Sequence, residues 1–406
     1  MTAEIAILNK NGVALAADSA VTVSSGDGSA KTYNAANKLF SFGGNHNIAF
    51  MIYGNAEYMD IPWEIIFKEF RNQHKNDNFQ TIEDCASNFV GFIKNEHFNK
   101  AEIATKHIQS MMYKALIVLT EIANIDIAKV QSESVDHIIK DDEIIEIIKK
   151  VIEKIRRENI DRRSFQCNIE IEDFFEDFQE FCISLLQNHF KIDISNIINE
   201  FMTLMYELTI FRNSFENTSG IVFCGYGQSE LFPSLRSFEI SYSYRNELKI
   251  MQKEEVSIST AECTASITPF AQTDMIMTIL KGMDPDMEEI VSEKIKGTSL
   301  TEDEKNDIII SVDRYQKEYF INPILNITAM LSISELANMA ETLVNLTSFK
   351  RHITNSLETV GGPVDVLVIS RGDGPIWINR KEYFDIKKNI DYQLRKRGYG
   401  NDNDFR

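Results

Sequence analysis

Residues 2–22 read TAEIAILNKNGVALAADSAVT. Ala3 to Leu8 alternates and is rich in β-forming residues, Asn11-Gly12 supplies residues that tolerate positive φ in a tight turn, and Val13 to Ala17 returns as a second apolar run. The pattern predicts a β-hairpin that starts at once. Chain ends fray unless something ties them down, so a strand running from residue 3 raises the question of why residue 2 should be held at a fixed place.

Moving outward, Lys38 to Phe42 and Asn47 to Tyr53 form a second apolar pair around Gly43-Gly44-Asn45. Pro62 suits the first turn of a helix whose apolar stripe is Ile65, Ile66, Phe67 and Phe70, and a second helix is expected over about Ile82 to Asn95. From Phe98 to Ser214 there is no glycine or proline, and segments such as DDEIIEIIKKVIEKIRREN carry the i, i+3, i+4 spacing of amphipathic helices. That stretch reads as a helical insertion. β-Character resumes at Gly220 to Gly227 and continues to a turn at Arg245-Asn246, helices return over Thr273 to Thr354, and a last hairpin turns at Asp373-Gly374. The expected organisation is therefore 1–97 as a first part of the core, 98–215 as the insertion, 216–386 as the second part and 387–406 as a basic tail containing Arg395-Lys396-Arg397. Such an order predicts a layered α+β protein with antiparallel sheets.

Composition sets the class. The 406 residues are 43% hydrophobic with only seven prolines, which marks a globular chain rather than a disordered one. A formal net charge of −19 argues against nucleic acid or an anionic membrane as the main partner. No leader pattern precedes the first strand and no apolar run approaches the roughly 20 residues that cross a bilayer, so a cytoplasmic protein is expected. The five cysteines are scattered, without C-x-x-C spacing, and the seven histidines show no ligand spacing; neither disulfides, nor a metal, nor a cofactor is expected. Gly225-Tyr226-Gly227 lacks the further glycine and the uninterrupted helix of a nucleotide fingerprint.

Thr2, the stretch GVALAADSAVT (Gly12 to Thr22), the KLFSF strand with Lys38, and IYGNAE with Gly54 together resemble the opening of a proteasome β subunit and its bacterial ring-protease relatives. These are N-terminal-nucleophile (Ntn) hydrolases, and the resemblance implies a four-layer αββα sandwich of two antiparallel sheets flanked by helices, here with an added helical region. It covers roughly residues 2–97 and 220–386. It implies that Thr2, first in the chain once Met1 is removed, is the nucleophile of a threonine protease cleaving peptide or other amide bonds.

The chemistry follows from the residue types. A threonine hydroxyl needs an adjacent base, and a free α-amine titrating near about 7.7 to 8.0 can take and return a proton. Lys38 would hold that amine partly neutral, Asp18 would keep the lysine charged and aimed, and the Gly54 N–H would face the developing oxyanion. Val21, Thr22, Ile52 and Ala56 occupy the family's substrate-binding positions. In the family a serine between two glycines and an aspartate before a Ser-Gly pair brace the threonine. Here Tyr226 stands at the first of these and Leu357 and Val360 at the second, leaving Tyr226, Glu358 and Thr359 as supporting candidates. Family members stack through helices into rings, which implies a homo-oligomer, with the insertion altering that packing or forming a lid or docking surface. The alternative is a catalytically silent proteasome-like scaffold whose helices bind a partner.

Overall fold

Every residue from Ala3 to Asn9, and from Gly12 to Ala17, is buried. A strand can only be apolar on both sides if both sides are covered, and the packing of these two strands shows what covers them. Ala3, Ile5, Ile7, Ala14 and Ala16 face the helices Asp274–Lys281 and Ile333–Ile353, touching Ile276, Leu336, Ala340 and Val344. The alternate residues Ala6, Leu8, Val13 and Leu15 face a second sheet, meeting Ala49, Met51, Val222 and Cys224. In the computed structural model the described residues are 2–24, 30–34, 36–133, 139–354, 361–382 and 384–390.

Two five-stranded sheets, antiparallel throughout, organise the chain. The first runs Ala265–Ala271, Ala3–Asn9, Gly12–Ala17, Asp365–Ser370, Gly374–Asn379 in spatial order. The second runs Glu247–Ser257, Ser234–Tyr244, Ser219–Tyr226, His46–Gly54, Leu39–Gly43. The protein is thus of mixed α and β structure with antiparallel sheets, and the opening hairpin lies inside the first sheet with a partner strand on each side.

The hairpin turn differs in detail from expectation. It falls at Lys10 and Asn11, and neither residue is among those with positive φ. Asn9 shapes it instead, its Oδ1 accepting from the backbone N–H of Asn11 at 2.8 Å and of Gly12 at 3.2 Å. Its Nδ2 donates to the carbonyls of Thr328 and Leu331, pinning the turn to the loop before the Ile333–Ile353 helix. Gly12 is needed for space: a Cβ there would meet the Ile369 carbonyl oxygen and Ile333 Cδ1 at 2.4 Å. The turn at Arg245-Asn246 does use two left-handed residues, with φ of 49° and 63°.

The outer face of the second sheet carries the helices between residues 63 and 210. Trp63–Gln73 and Ile82–Ile93 pack Phe67, Phe70 and Phe89 against Phe50 and Phe223. Thr81 and Asp84 close a reciprocal capping box at the start of the second of these helices. The glycine-free stretch forms helices Ala101–Glu133, Asp141–Asn159, Ile171–His189 and Ile198–Ile210, and their apolar faces belong to the same hydrophobic cluster as Phe50, Ile221 and Phe238. Ile160–Gln166 is a strand paired with Phe211–Asn213, which helical periodicity alone did not anticipate. No helix among the described residues is long and apolar enough to cross a membrane.

Candidate active site

Thr2 ends the first strand on the face that looks toward the second sheet, because side chains alternate along a strand and Ala6 and Leu8 share that face. Its carbonyl accepts the backbone N–H of Gln272 at 3.1 Å, just beyond the neighbouring strand, so residue 2 is fastened in the sheet. Its side chain is only 5% exposed.

Asp18 follows the second strand directly. Its Oδ1 accepts the Ala3 N–H at 3.1 Å and pairs with the Lys38 ammonium; its Oδ2 accepts the N–H of Ala20 at 3.2 Å and of Gly361 at 3.0 Å. The Asp18 N–H returns a bond to the Ala3 carbonyl at 3.1 Å. Lys38, equally buried, precedes the Leu39–Gly43 strand, and its carbonyl accepts from Ile52 N–H at 2.9 Å. Asp18 therefore gathers three separate segments, taking the N–H of Ala3 beside Thr2 and the ammonium of Lys38.

Glu4 joins them, and sequence reasoning missed it. It lies two residues beyond Thr2 on the same face, is fully buried, and its Oε1 is 3.2 Å from Lys38 Nζ. Burial pushes its carboxyl up to about 7, the more so beside the negative Asp18, while Lys38 and the Thr2 side chain act in the opposite direction. One lysine thus serves two buried carboxylates. The sequence carried little signal for it: a lone Glu in a short strand ordinarily points at solvent, and it is the covering second sheet that takes the solvent away.

Gly54 closes the strand that runs past Lys38. Its φ is +77°, and a Cβ would lie 2.5 Å from the Thr218 carbonyl oxygen. Val21 opens the short strand Val21–Ser24 and Thr22 pairs with Thr32 in it. Ile52 is buried in the cluster beneath the outer helices, and the half-buried Ala56 accepts Trp63 N–H through its carbonyl at 3.1 Å.

No family model matches the chain, and no curated protein matches it.

The supporting residues need correcting. Tyr226 pairs with Asn47, whereas Gly54 pairs with Ser219, so Tyr226 lies seven residue pairs along the strand from the Gly54 end. That separation is about 24 Å at ~3.4 Å per residue, too far to brace Thr2. The strand simply runs away from the site, and Tyr226 borders a different hollow of about 200 Å³ with Asn47, Gln228 and Arg371. What stands next to Thr2 is Ala271-Gln272, with Ala271 at a φ of 58°. Arg351 Nε donates to Gln272 Oε1 at 2.6 Å and its Nη2 to Asp274 Oδ1 at 3.1 Å, locking that corner. Glu358 and Thr359 lie outside the described residues, although Gly361 just after them donates to Asp18. No cluster of metal-ligating side chains occurs among the described residues.

Proposed function

We propose that the protein is an Ntn hydrolase of proteasome-like αββα architecture, in which Thr2, freed by removal of Met1, attacks a peptide or other amide bond. The observation that carries this reading is a buried Thr2 whose neighbour Ala3 donates its N–H to Asp18, the partner of the buried Lys38. The two facing sheets with helices on their outer sides support the same architecture. In this reading the Thr2 O–H breaks and its proton passes to a base of the site as Oγ bonds to the substrate carbonyl carbon, the base returns the proton to the amine as the carbon–nitrogen bond breaks, and water, giving up a proton by the same route, releases the acyl group and restores the Thr2 hydroxyl. Lys38 supplies positive charge beside the reacting oxygen, Asp18 fixes Lys38, and the Gly54 corner lies where an oxyanion would be met. A cytoplasmic homo-oligomer without nucleic-acid or membrane partners belongs to the proposal.

A second reading, a catalytically silent scaffold whose helices dock a partner, is favoured by one observation: Thr2 is 5% exposed, which leaves little approach for a substrate. Intact-mass spectrometry after treatment with a β-lactone, which acylates a reactive hydroxyl, separates the two. A single adduct on wild type that is missing in Thr2→Ala supports the hydrolase. Equal labelling of both proteins, or none of either, supports the scaffold.

A further inference from the structure

The Thr2 hydroxyl has three ionisable neighbours, and they differ in what they can still accept. A carboxylate offers about four lone-pair sites. Those of Asp18 are taken, two by Ala3 N–H and Lys38 on Oδ1 and two by the N–H groups of Ala20 and Gly361 on Oδ2. Lys38 is charged in its pairs with Asp18 and Glu4 and has no site to offer. Glu4 is different: apart from Lys38, the one side chain acting on its carboxylate as a hydrogen-bond donor is that of Thr2. Thr2, two residues away on the same strand face, is buried, and its side chain acts on the Glu4 carboxylate. A buried hydroxyl donor and a buried carboxylate acceptor are thus brought together in one dry compartment, where a hydrogen bond between them counts for most.

We propose that Glu4 is the proton acceptor of the site, taking the Thr2 hydroxyl proton as the hydroxyl attacks. The proposal rests on Thr2 being the nucleophile, and it assigns the first proton transfer to a side chain inside the strand rather than to the terminal amine. In the first step the Thr2 O–H bond breaks, its proton goes to a Glu4 carboxylate oxygen, and Oγ bonds to the carbonyl carbon. As the carbon–nitrogen bond breaks, Glu4 returns the proton to the departing amine. Water then repeats the exchange, giving its proton to Glu4 while its oxygen displaces Thr2 Oγ, which recovers a proton from Glu4. The charges facing Glu4 are Lys38 and Asp18, and from the second sheet Tyr53, whose own ionisation is opposed by the charge of Glu4. Burial places the Glu4 titration close to neutral, which suits a group that must both take and give a proton.

Two measurements on the full chain test this. The first follows the Glu4 carboxyl by infrared spectroscopy against pH in wild type and Thr2→Val, with Glu4→Gln identifying the band. The hydroxyl should hold the Glu4 midpoint down, so Thr2→Val should raise it; an unmoved midpoint overturns the proposal even if Glu4→Gln fails to fold. The second measures β-lactone acylation of Thr2 against pH. Wild type should gain rate as pH rises through the Glu4 midpoint, and Glu4→Gln should lose about 100-fold or more together with that pH limb. A Thr2-dependent adduct forming on Glu4→Gln within about threefold of wild type, with the limb retained, overturns the Glu4 step while leaving the hydrolase reading standing. A wild type that forms no Thr2-dependent adduct overturns both.

Discussion

The Lys38 ammonium lies 3.2 Å from Glu4 Oε1, and the two side chains are 4% and 0% exposed. Because the same ammonium also pairs with Asp18, a single positive charge answers two carboxylates in a compartment closed to water. The balance of that compartment changes when Glu4 gains or loses a proton, and most of what can be measured about this protein's centre follows from it.

The first expectation concerns stability and pH. The Glu4 carboxyl is raised from 4.5 to about 7, so between those values the folded protein holds a proton that the unfolded chain has released. Stability must then fall as pH rises through that window and level off above it, by about 3 kcal/mol in all. Glu4→Gln should lose this portion of the slope. Urea unfolding at pH 5 and pH 8 checks it: an equal pH difference in wild type and Glu4→Gln contradicts the assignment.

Removing the shared cation is expected to be worse than removing either anion. Lys38→Met leaves Asp18 and Glu4 buried without compensation, a loss of about 3–5 kcal/mol at neutral pH. Acidification should restore part of it, since protonating Glu4 relieves the excess charge. Midpoints of thermal unfolding at pH 5 and pH 8 would show the variant recovering toward wild type at the lower pH.

Gly54 should not tolerate a side chain. At its φ of +77° an alanine costs about 1–2 kcal/mol in backbone strain, and its Cβ would collide with the Thr218 carbonyl oxygen at 2.5 Å. Gly54→Ala is expected to lower stability by at least that amount and to disturb the pairing with Ser219. Amide exchange at Ser219 and Gly220 reads the local effect, and unchanged protection there would contradict it.

Support for Thr2 should come from the Gln272 corner and not from Tyr226. Arg351→Ala removes the 2.6 Å bond to Gln272 Oε1, whose backbone N–H holds the Thr2 carbonyl. Acylation of Thr2 should slow about tenfold or more in that variant, as reacting groups misplaced by a fraction of an ångström lose rate steeply. Tyr226→Phe, about 24 Å along its strand from the Gly54 end, should leave the acylation rate within about twofold. The opposite ranking in a side-by-side rate measurement would return Tyr226 to the site.

Much of this was legible in the sequence, for identifiable reasons. The runs Ala3 to Leu8 and Val13 to Ala17 declare strands because no other element buries such short apolar segments between turn residues. Thr2, Asp18 and Lys38 drew notice through their order and spacing, which resemble the opening of a proteasome β subunit; taken singly, each is an ordinary polar residue at the edge of such a run. Glu4 escaped notice because an alternating strand ordinarily gives its polar residues to solvent, and only the second sheet reveals that this one has no solvent side. Tyr226 misled because glycines flank it; which end of a strand faces the site depends on chain direction across the sheet, and spacing carries no such information. Gln272 gave no local signal at all. It reaches Thr2 through pairing between Ala3–Asn9 and Ala265–Ala271, a contact between distant parts of the chain.

That distance also sets an order of assembly. During synthesis the opening hairpin emerges first, yet one flank of it waits for residues 265–271 and the other for residues 365–369. Its two outer edges must stay unpaired while about 250 residues are added, roughly 10 to 50 seconds at cellular elongation rates. The second sheet has its strands from 39 to 257 and can condense earlier, offering Ala49, Met51 and Val222 as a surface on which the hairpin can rest. The Thr2 corner, needing Gln272, Arg351 and Gly361 together, is then among the last parts of the molecule to take shape. A ribosome-bound chain halted before residue 351 would carry a formed second sheet and an unfinished centre.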